Sequence, residues 1–155
     1  METDEKLTLI KRYYDGCSAG DAAAIAATLD DNVVHYFLAP NPGAAPVRGA
    51  AHLANYWRKV QRKLAARWVV DSIIGEGDAA VIEWTMFFTP APVAARIALR
   101  GAEFYRFAGG RIAEIRAYYQ QRDCSTELDG FDYFSRGYST LTREASAVHA
   151  PDADR

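Results

Sequence analysis

The sequence predicts one α+β domain, in which three N-terminal helices close the open side of a cone-shaped, curved antiparallel sheet. The length of 155 residues suits a single hydrophobic core. Apolar residues recur every three to four positions as far as Leu64 and every second position after it. Turn residues then separate the later strands at short intervals, which is typical of an antiparallel meander. Helices that precede such a sheet pack on one of its faces and leave a conical cavity.

The first half of the chain predicts three helices and one strand. The first helix has an apolar stripe of Leu7, Ile10, Tyr14 and Cys17, with Tyr13 beside it. Asp21 is a suitable N-cap for the second helix. The predicted segments are helix Asp4–Cys17, helix Ala22–Leu29, turn Asp30–Asn32, strand Val33–Leu38, loop Ala39–Gly49 and helix Ala50–Leu64.

The second half predicts four consecutive strands, followed by a segment without clear periodicity. The strands are Trp68–Ile74, Ala79–Thr89, Arg96–Phe107 and Ile112–Gln120. We expect the domain to comprise residues 1–123 and a C-terminal extension to comprise residues 124–155. The aromatic residues of this extension favour a lid or an interface segment, and its polar end is expected to be disordered. They are Phe131, Tyr133, Phe134 and Tyr138.

Composition argues against several classes of function. The net charge is -2 and no basic block occurs, so we expect neither nucleic acid nor membrane as a partner. The polar start, Met1 to Lys6, is unlike a secretory signal and predicts a cytoplasmic protein. Two cysteines, Cys17 and Cys124, form no CxxC motif and are expected to be reduced. Without paired histidine motifs or a glycine-rich phosphate loop, we expect no metal and no cofactor.

The third strand of the meander contains the strongest candidate residue, Glu103. Strict alternation places Glu103 on the same face as Tyr105 and Phe107, among side chains directed toward the core or cavity. An ionised carboxylate buried without a partner is unfavourable, so this residue is either paired or protonated. Two interpretations follow: a structural glutamate bonded to an arginine or tyrosine, or an acid with a raised pKa that serves a ligand. A bulge in the strand would instead turn Glu103 outward.

Three further residues have less defined orientations. Glu83 alternates with apolar residues on a strand that is apolar on both faces, so its direction is not determined by the pattern. If it faces the same way as Glu103, the two carboxylates share a proton. On the first strand Tyr36 shares a face with Val34, whereas His35 lies on the opposite face, where a structural or interface role is favoured over that of a base.

Several motifs resemble the nuclear-transport-factor-2-like superfamily, in particular its SnoaL-like and ketosteroid-isomerase-like domains. The resemblance covers residues 5–122 and implies the cone-shaped, cystatin-like fold. The superfamily includes isomerases, cyclases, hydratases, epoxide hydrolases, transport factors and binding domains, and many members form homodimers through the outer sheet face. The motifs are Arg12-Tyr13-Tyr14, Ala19-Gly20-Asp21, Leu29-Asp30-Asp31-Asn32-Val33, Gly49-Ala50, Gly77-Asp78 and Tyr105 through Ile112.

The resemblance implies half of an active site. Tyr13 matches the helix-one tyrosine of ketosteroid isomerases, and Glu103 falls where they have an aspartate; together these residues would bind a carbonyl or an oxyanion. The isomerase base falls on Tyr36. The last-strand aspartate of SnoaL-like cyclases and limonene-type epoxide hydrolases falls on Ala117. A proton acceptor is therefore expected to be Tyr36, Glu83 or the substrate itself.

The resemblance also implies an aromatic, mostly neutral lining that suits a small hydrophobic molecule containing a ring. The implied lining residues are Cys17, Tyr56, Trp57, Leu99, Ala117 and Tyr119. The leading hypothesis is a cofactor-independent acid–base enzyme of the isomerase, cyclase or lyase type. One alternative is a non-catalytic domain that binds a small molecule. The other is an epoxide hydrolase of the limonene type, which requires Glu83 inside the cavity.

Overall fold

The computed structural model describes residues 1–37, 45–91 and 96–120, and these form three helices and a six-stranded sheet. The helices are α1 (Thr3–Ala19), α2 (Ala22–Ala26) and α3 (Ala50–Leu64). The strands are β1 (Leu29–Phe37), β2 (Val47–Arg48), β3 (Arg67–Glu76), β4 (Ala79–Phe88), β5 (Ile97–Ala108) and β6 (Arg111–Tyr119). The α+β class with a curved sheet behind N-terminal helices is confirmed.

The strands lie in the order β2-β1-β6-β5-β4-β3. Strands β3 to β6 form the predicted antiparallel meander. Strand β1 pairs in parallel with β6, and the short β2 pairs antiparallel with β1. Neither pairing was predicted, because a parallel partner far along the chain leaves no local sequence signal.

The sheet is interrupted by register shifts in three places, and such irregularities bend and twist a sheet. They lie between Leu29 and Val34, between Val70 and Ser72, and between Arg106 and Phe107. We call the sheet face that the helices cover the inner face and the opposite one the outer face. The buried core lies between the inner face and the helices.

Helix α1 is attached to β3 near both of its ends. The hydroxyl of Thr3 donates to the carbonyl of Gly75 at 3.2 Å. At the other end, the backbone N–H of Trp68 donates to the Ser18 hydroxyl at 2.9 Å. Gly20 then ends the helix with a left-handed backbone, at φ 68°. These attachments fix the helix over the sheet and thereby hold the side chains of its last turns against the inner face.

Two local predictions were wrong at the start of β1. The segment Asp30–Asn32 belongs to the strand and not to a turn. Its turn chemistry is nevertheless present, because the backbone N–H of Asn32 donates to the Asp30 carboxylate at 2.9 Å within the first register shift. Helix α2 ends at Ala26 and not at Leu29, since Leu29 already pairs with Ile112 on β6.

Several predicted features lie outside the described residues: the tip of the proline-containing loop, Cys124 and the extension 124–155 with its aromatic residues. Within the described ranges, no helix has both the length and the apolar character needed to cross a membrane.

Gly101 on β5 provides a test of the packing beneath the inner face. A Cβ atom at this position would lie 2.4 Å from Cζ2 of Trp84 and 2.4 Å from the carbonyl oxygen of Tyr118. We expect Gly101→Ala to lower the free energy of unfolding by about 3 kcal/mol, as overpacking does. The control is Gly77→Ala, whose Cβ would meet no atom within 4 Å and which incurs only the left-handed backbone cost of about 1 kcal/mol. The destabilisation is measured by urea unfolding. This packing would be contradicted if Gly101→Ala were no more destabilising than Gly77→Ala.

Candidate functional site

The centre of the inner face is Glu103 on β5, which is 2% exposed. Its direct neighbours across the sheet are Ile82 on β4 and Ala117 on β6. Neither side chain offers a hydrogen bond, so the partners of the carboxylate must come from other positions. The predicted inward orientation of Glu103 is confirmed by this burial.

Two tyrosine hydroxyls donate to one oxygen of that carboxylate. Tyr14 on α1 and Tyr105 on β5 each lie 2.5 Å from Oε2 of Glu103. Such short distances are typical of hydrogen bonds from a hydroxyl to a carboxylate. Tyr105 is two residues after Glu103 and therefore shares its face, whereas Tyr14 reaches it from the opposite layer. The carboxylate is thus held between the helix and the sheet by tyrosines and not by arginine.

Burial raises the pKa of Glu103 to about 7, and the hydrogen bonds from Tyr105 and Tyr14 act in the opposite direction. Both protonation states of this carboxyl are therefore accessible near neutral pH. Burial, followed by the charge of Glu103, raises the pKa of Tyr14 and that of Tyr105 well above the ordinary tyrosine value. Both tyrosines consequently remain neutral hydrogen-bond donors.

Tyr13 lies beside this cluster and is 1% exposed. Among the described residues its hydroxyl has no hydrogen-bond partner. Burial raises its pKa well above the ordinary value, and the nearby Cys17 and Glu103 raise it further. The indole N–H of Trp57 acts in the opposite direction, although the two groups are not in hydrogen-bond geometry. Tyr13 therefore offers an unused donor next to Glu103.

Three more polar side chains of the inner layer lack hydrogen-bond partners within the described part of the chain. They are both ring nitrogens of His35, the indole N–H of Trp57 and the indole N–H of Trp84. Buried polar groups without partners are rare in folded proteins, so several in one layer call for an explanation. A bound molecule with its own polar groups is one that the chemistry allows.

His35 is fully buried, and burial lowers its pKa to about 3. Its imidazole is therefore neutral at physiological pH. The ring packs against Phe37, with centroids 4.4 Å apart, and meets Trp57 at 5.4 Å. The structure thus turns His35 toward the helices and Tyr36, its neighbour, toward the outer face.

Tyr36 and Glu83 are not available as bases next to Glu103, because both lie on the outer face. Glu83 is opposite Ala102, accepts a hydrogen bond from Ser72 at 3.1 Å and lies 3.6 Å from the guanidinium of Arg100. Its side chain is 56% exposed. The proton-sharing pair of Glu83 and Glu103 is therefore wrong, because successive strand residues face opposite sides of the sheet.

The residues expected to line the cavity occupy the inner layer. Cys17 is buried beside Tyr13, and the ring of Tyr56 lies 5.0 Å from that of Trp57. The ring of Tyr119 lies 5.6 Å from that of Trp84, while Leu99 is partly buried and packs on the core. Ala117 lies directly opposite Glu103.

Sequence reasoning missed both hydrogen-bond partners of Glu103 and did not determine that His35 faces the interior. Tyr14 is central in the apolar stripe of α1, and that stripe was the available signal. Tyr105 follows Glu103 at the two-residue spacing that predicts a shared face. His35 had no comparable signal, because both faces of β1 contain apolar residues.

Two further observations concern other places on the described residues. Within residues 1–37, 45–91 and 96–120, no three His, Cys, Asp or Glu side chains are grouped as a metal site requires. A depression of about 480 Å³ on the outside of α1 contains Asp4, Glu5 and Arg12, and it does not include Glu103.

Residues 10–115 match the family model described as the SnoaL-like domain. The chain belongs to this family. No sequence among the curated proteins matches the SnoaL-like chain significantly.

Several solved structures are similar to the SnoaL-like chain in fold. A protein of unknown function with a cystatin-like fold from Methylobium petroleophilum PM1 is 33% identical, with a TM-score of 0.68 over 92% of this chain and 96% of that one. An LEH-like epoxide hydrolase of M. tuberculosis is 21% identical, with a TM-score of 0.63 over 88% and 91%. A putative polyketide cyclase from Xanthomonas campestris pv. campestris is 18% identical, with a TM-score of 0.64 over 76% and 92%. The last two similarities establish the fold alone.

The raised pKa of Glu103 predicts a characteristic pH dependence of stability. Because the folded state holds this proton more tightly, the stabilisation is complete below pH 4.5 and is lost as pH rises through about 7. The free energy of unfolding of the wild type minus that of Glu103→Gln should fall by about 3 kcal/mol over this range, at about 1.4 kcal/mol per pKa unit.

His35 acts in the opposite sense, since its stabilisation is present above pH 6.5 and is lost as pH falls through about 3. The contribution of His35 is the same in the wild type and in Glu103→Gln, so it cancels in the difference between their free energies of unfolding. Urea unfolding at a series of pH values measures this difference, and two parallel stability profiles would show that Glu103 has an ordinary pKa.

Proposed function

We propose that this SnoaL-like domain is a cofactor-independent acid–base enzyme of the isomerase, cyclase or lyase type. Its substrate is a small hydrophobic compound that contains a ring and a carbonyl group. The observation that supports this most strongly is the pairing of a buried carboxyl whose pKa is about 7 with the unpartnered hydroxyl of Tyr13. General acid–base catalysis is most effective when the pKa of the catalytic group is close to the working pH.

The proposed chemistry needs one proton to move. The carboxylate of Glu103 takes a proton from the carbon next to the substrate carbonyl, and the electrons of that C–H bond form an enolate. The hydroxyl of Tyr13 donates a hydrogen bond to the enolate oxygen, where the negative charge develops. Glu103 then returns the proton to carbon, at the same or at a conjugated position, and is regenerated.

Tyr14 and Tyr105 have a supporting role in this scheme. Their hydrogen bonds to Oε2 hold the carboxylate in one orientation and stabilise its charged form. Without them, burial would raise the pKa of Glu103 further and leave less of the base form at neutral pH. They are positioning residues, since they act through Glu103.

Two solved structures with the same fold support a role in small-molecule chemistry. One is described as an LEH-like epoxide hydrolase and the other as a putative polyketide cyclase. Such similarity is an argument from fold, and the activity proposed above depends on the residues of the inner layer.

We also propose that two copies associate through the outer face. Phe104 and Tyr118 are 42% and 45% exposed there, with ring centroids 5.8 Å apart. Large exposed aromatic side chains that are grouped on one face favour an interface.

A non-catalytic binding domain is the second candidate. The observation in its favour is that Tyr36 and Glu83 face outward, while the interior His35 has a pKa of about 3, so none of them assists Glu103 as a base. The hypothesis of a limonene-type epoxide hydrolase receives less support. It requires the carboxylate of Glu83 to face the cavity, whereas this side chain lies on the outer face.

Glu103→Gln distinguishes the candidates, because glutamine still accepts the tyrosine hydrogen bonds but neither gains nor loses a proton. The bicyclic ketone tetralone is a suitable probe, and NMR in D₂O follows the exchange of its protons next to the carbonyl. We expect the wild type to accelerate exchange and Glu103→Gln to lose a factor of roughly 10²–10⁴ of that acceleration. The matched control, Glu83→Gln on the outer face, should exchange at the wild-type rate.

Binding of tetralone is measured in parallel by calorimetry. Exchange that continues at the wild-type rate in Glu103→Gln would exclude this residue from the chemistry. Binding without any exchange in the wild type would instead favour the non-catalytic domain.

A further inference from the structure

The outer face of the sheet is divided into a buried half and an exposed half. Val69 on β3 is 1% exposed, whereas Ile74, on the same face of the same strand, is 73% exposed. The neighbouring strands show the same contrast, since Phe87 on β4 is 1% exposed and Phe104 on β5 is 42% exposed. We call the two parts the covered half and the open half. The covered half comprises Val69, Asp71, Thr85 and Phe87, and the open half comprises Ile74, Phe104 and Tyr118.

Burial of the covered half is not explained by the main core. Among the described residues, Val69 and Phe87 are buried but do not belong to the cluster that fills the space between the inner face and the helices. The three helices lie against the inner face, and a sheet face without helices is normally in contact with water. Apolar side chains that are buried on the outer face therefore need a cover of their own.

The covered half contains a buried polar pair in addition to apolar side chains. The hydroxyl of Thr85 donates to the carboxylate of Asp71 at 2.8 Å, and the two residues are 0% and 2% exposed. A carboxylate is buried at acceptable cost when polar or positively charged groups surround it. A cover that suits this half accordingly offers both apolar area and hydrogen-bond donors.

The loops next to the sheet begin and end away from the covered half. The connection between β4 and β5 is bonded to the end of α3 on both of its sides. The backbone N–H of Thr89 donates to the carbonyl of Leu64 at 2.8 Å, and the guanidinium of Arg96 donates to that of Ala65 at 3.0 Å. The connection between β1 and β2 starts three strand spacings from β4, which is about 14 Å.

The chain that follows β6, in contrast, starts beside the covered half. The backbone N–H of Gln120 donates to the carbonyl of Arg100 at 2.8 Å. Arg100 pairs with Thr85, and Thr85 pairs with Val69. Three strand spacings, about 14 Å, therefore separate Gln120 from Val69. Residues 121–131 alone span up to roughly 35 Å when extended, so the segment has ample length to cross this distance.

The composition of that segment suits the chemistry of the covered half. Its aromatic residues are Phe131, Tyr133, Phe134 and Tyr138. Arg136 lies among them in the sequence. Aromatic rings supply large apolar contact areas, while tyrosine hydroxyls and a guanidinium donate hydrogen bonds to a carboxylate. The segment thus offers both kinds of contact that Val69, Phe87 and Asp71 require.

We infer that residues 121–155 dock on the covered half of the outer face of their own chain. This docking leaves the open half, with Phe104 and Tyr118, for the association of two copies. It shields Val69 and Phe87 from water and from other molecules. The inference does not depend on the proposed acid–base activity, because no residue of the Glu103 cluster takes part in it.

Thiol accessibility in the full chain tests the docking. Val69→Cys and Ile74→Cys place one thiol in each half, on the same face of the same strand. Both are made with Cys124→Ser, and the remaining Cys17 is 0% exposed. We expect the reagent DTNB to modify Val69→Cys more than about tenfold more slowly than Ile74→Cys, because the reaction requires local opening of the cover.

Replacing the four aromatic residues of the segment by serine should remove this protection. Val69→Cys should then react about as fast as Ile74→Cys, whose own rate stays unchanged and serves as the control. Circular dichroism confirms that the chain remains folded. Should the fourfold variant fail to fold, the pairs Phe131 with Tyr133 and Phe134 with Tyr138 are replaced separately, and at least one pair must release Val69→Cys.

Three results would overturn the inference. The first is equal reactivity of Val69→Cys and Ile74→Cys in the chain with its aromatic residues intact. The second is protection of Val69→Cys that persists in the folded serine variants. The third is protection that is lost on dilution, because docking within one chain is independent of protein concentration and such a loss would identify a second copy as the cover.

Discussion

The unfavourable desolvation of one carboxylate, that of Glu103, constrains the arrangement of side chains in the interior of this domain. Glu103 is directed inward by the two-residue period of β5, and its neighbours across the sheet are an isoleucine and an alanine. A buried carboxyl in that position needs hydrogen-bond partners other than its two cross-strand neighbours. Tyr14 supplies one from the helix and Tyr105 one from the same strand, so the carboxyl joins the helix to the sheet.

This junction depends on the exact placement of α1. Tyr14 reaches Glu103 because Ser18, one turn later, is bonded to the start of β3 and Thr3 is bonded near its end. The missing side chain at Gly101 leaves room for the indole of Trp84 on the same face. Electrostatic interactions in such a water-poor layer are stronger than at the surface, which favours both proton transfer and binding of polar ligand atoms.

Much of the fold could be predicted from periodicity. The bounds of α3 and the antiparallel meander follow from apolar spacing and turn residues, both of which are local. The parallel pairing of β1 with β6 joins segments about 80 residues apart and depends on tertiary packing, which no local pattern records. The two-residue strand β2 is too short for any period to be recognised.

The site was predictable to a different extent at each position. Alternation identified Glu103, because its strand has one clearly more apolar face. The same rule failed for Glu83 and for the choice between His35 and Tyr36, since β4 and β1 are apolar on both faces. The resemblance drew attention to Tyr13, whereas the apolar stripe of α1 had already placed Tyr14 at its centre. Which of two adjacent tyrosines bonds to the carboxylate is decided by the packing angle of the helix.

The titration of Glu103 tests most directly whether this carboxyl can act as an acid–base group near neutral pH. Infrared difference spectra of the wild type against Glu103→Gln isolate the C=O band of this protonated carboxyl as pH is varied. We expect the band to disappear with a midpoint at about pH 7. A midpoint near the ordinary value of 4.5 would show that the carboxyl is solvated, and the proposed chemistry would then lack its acid–base group.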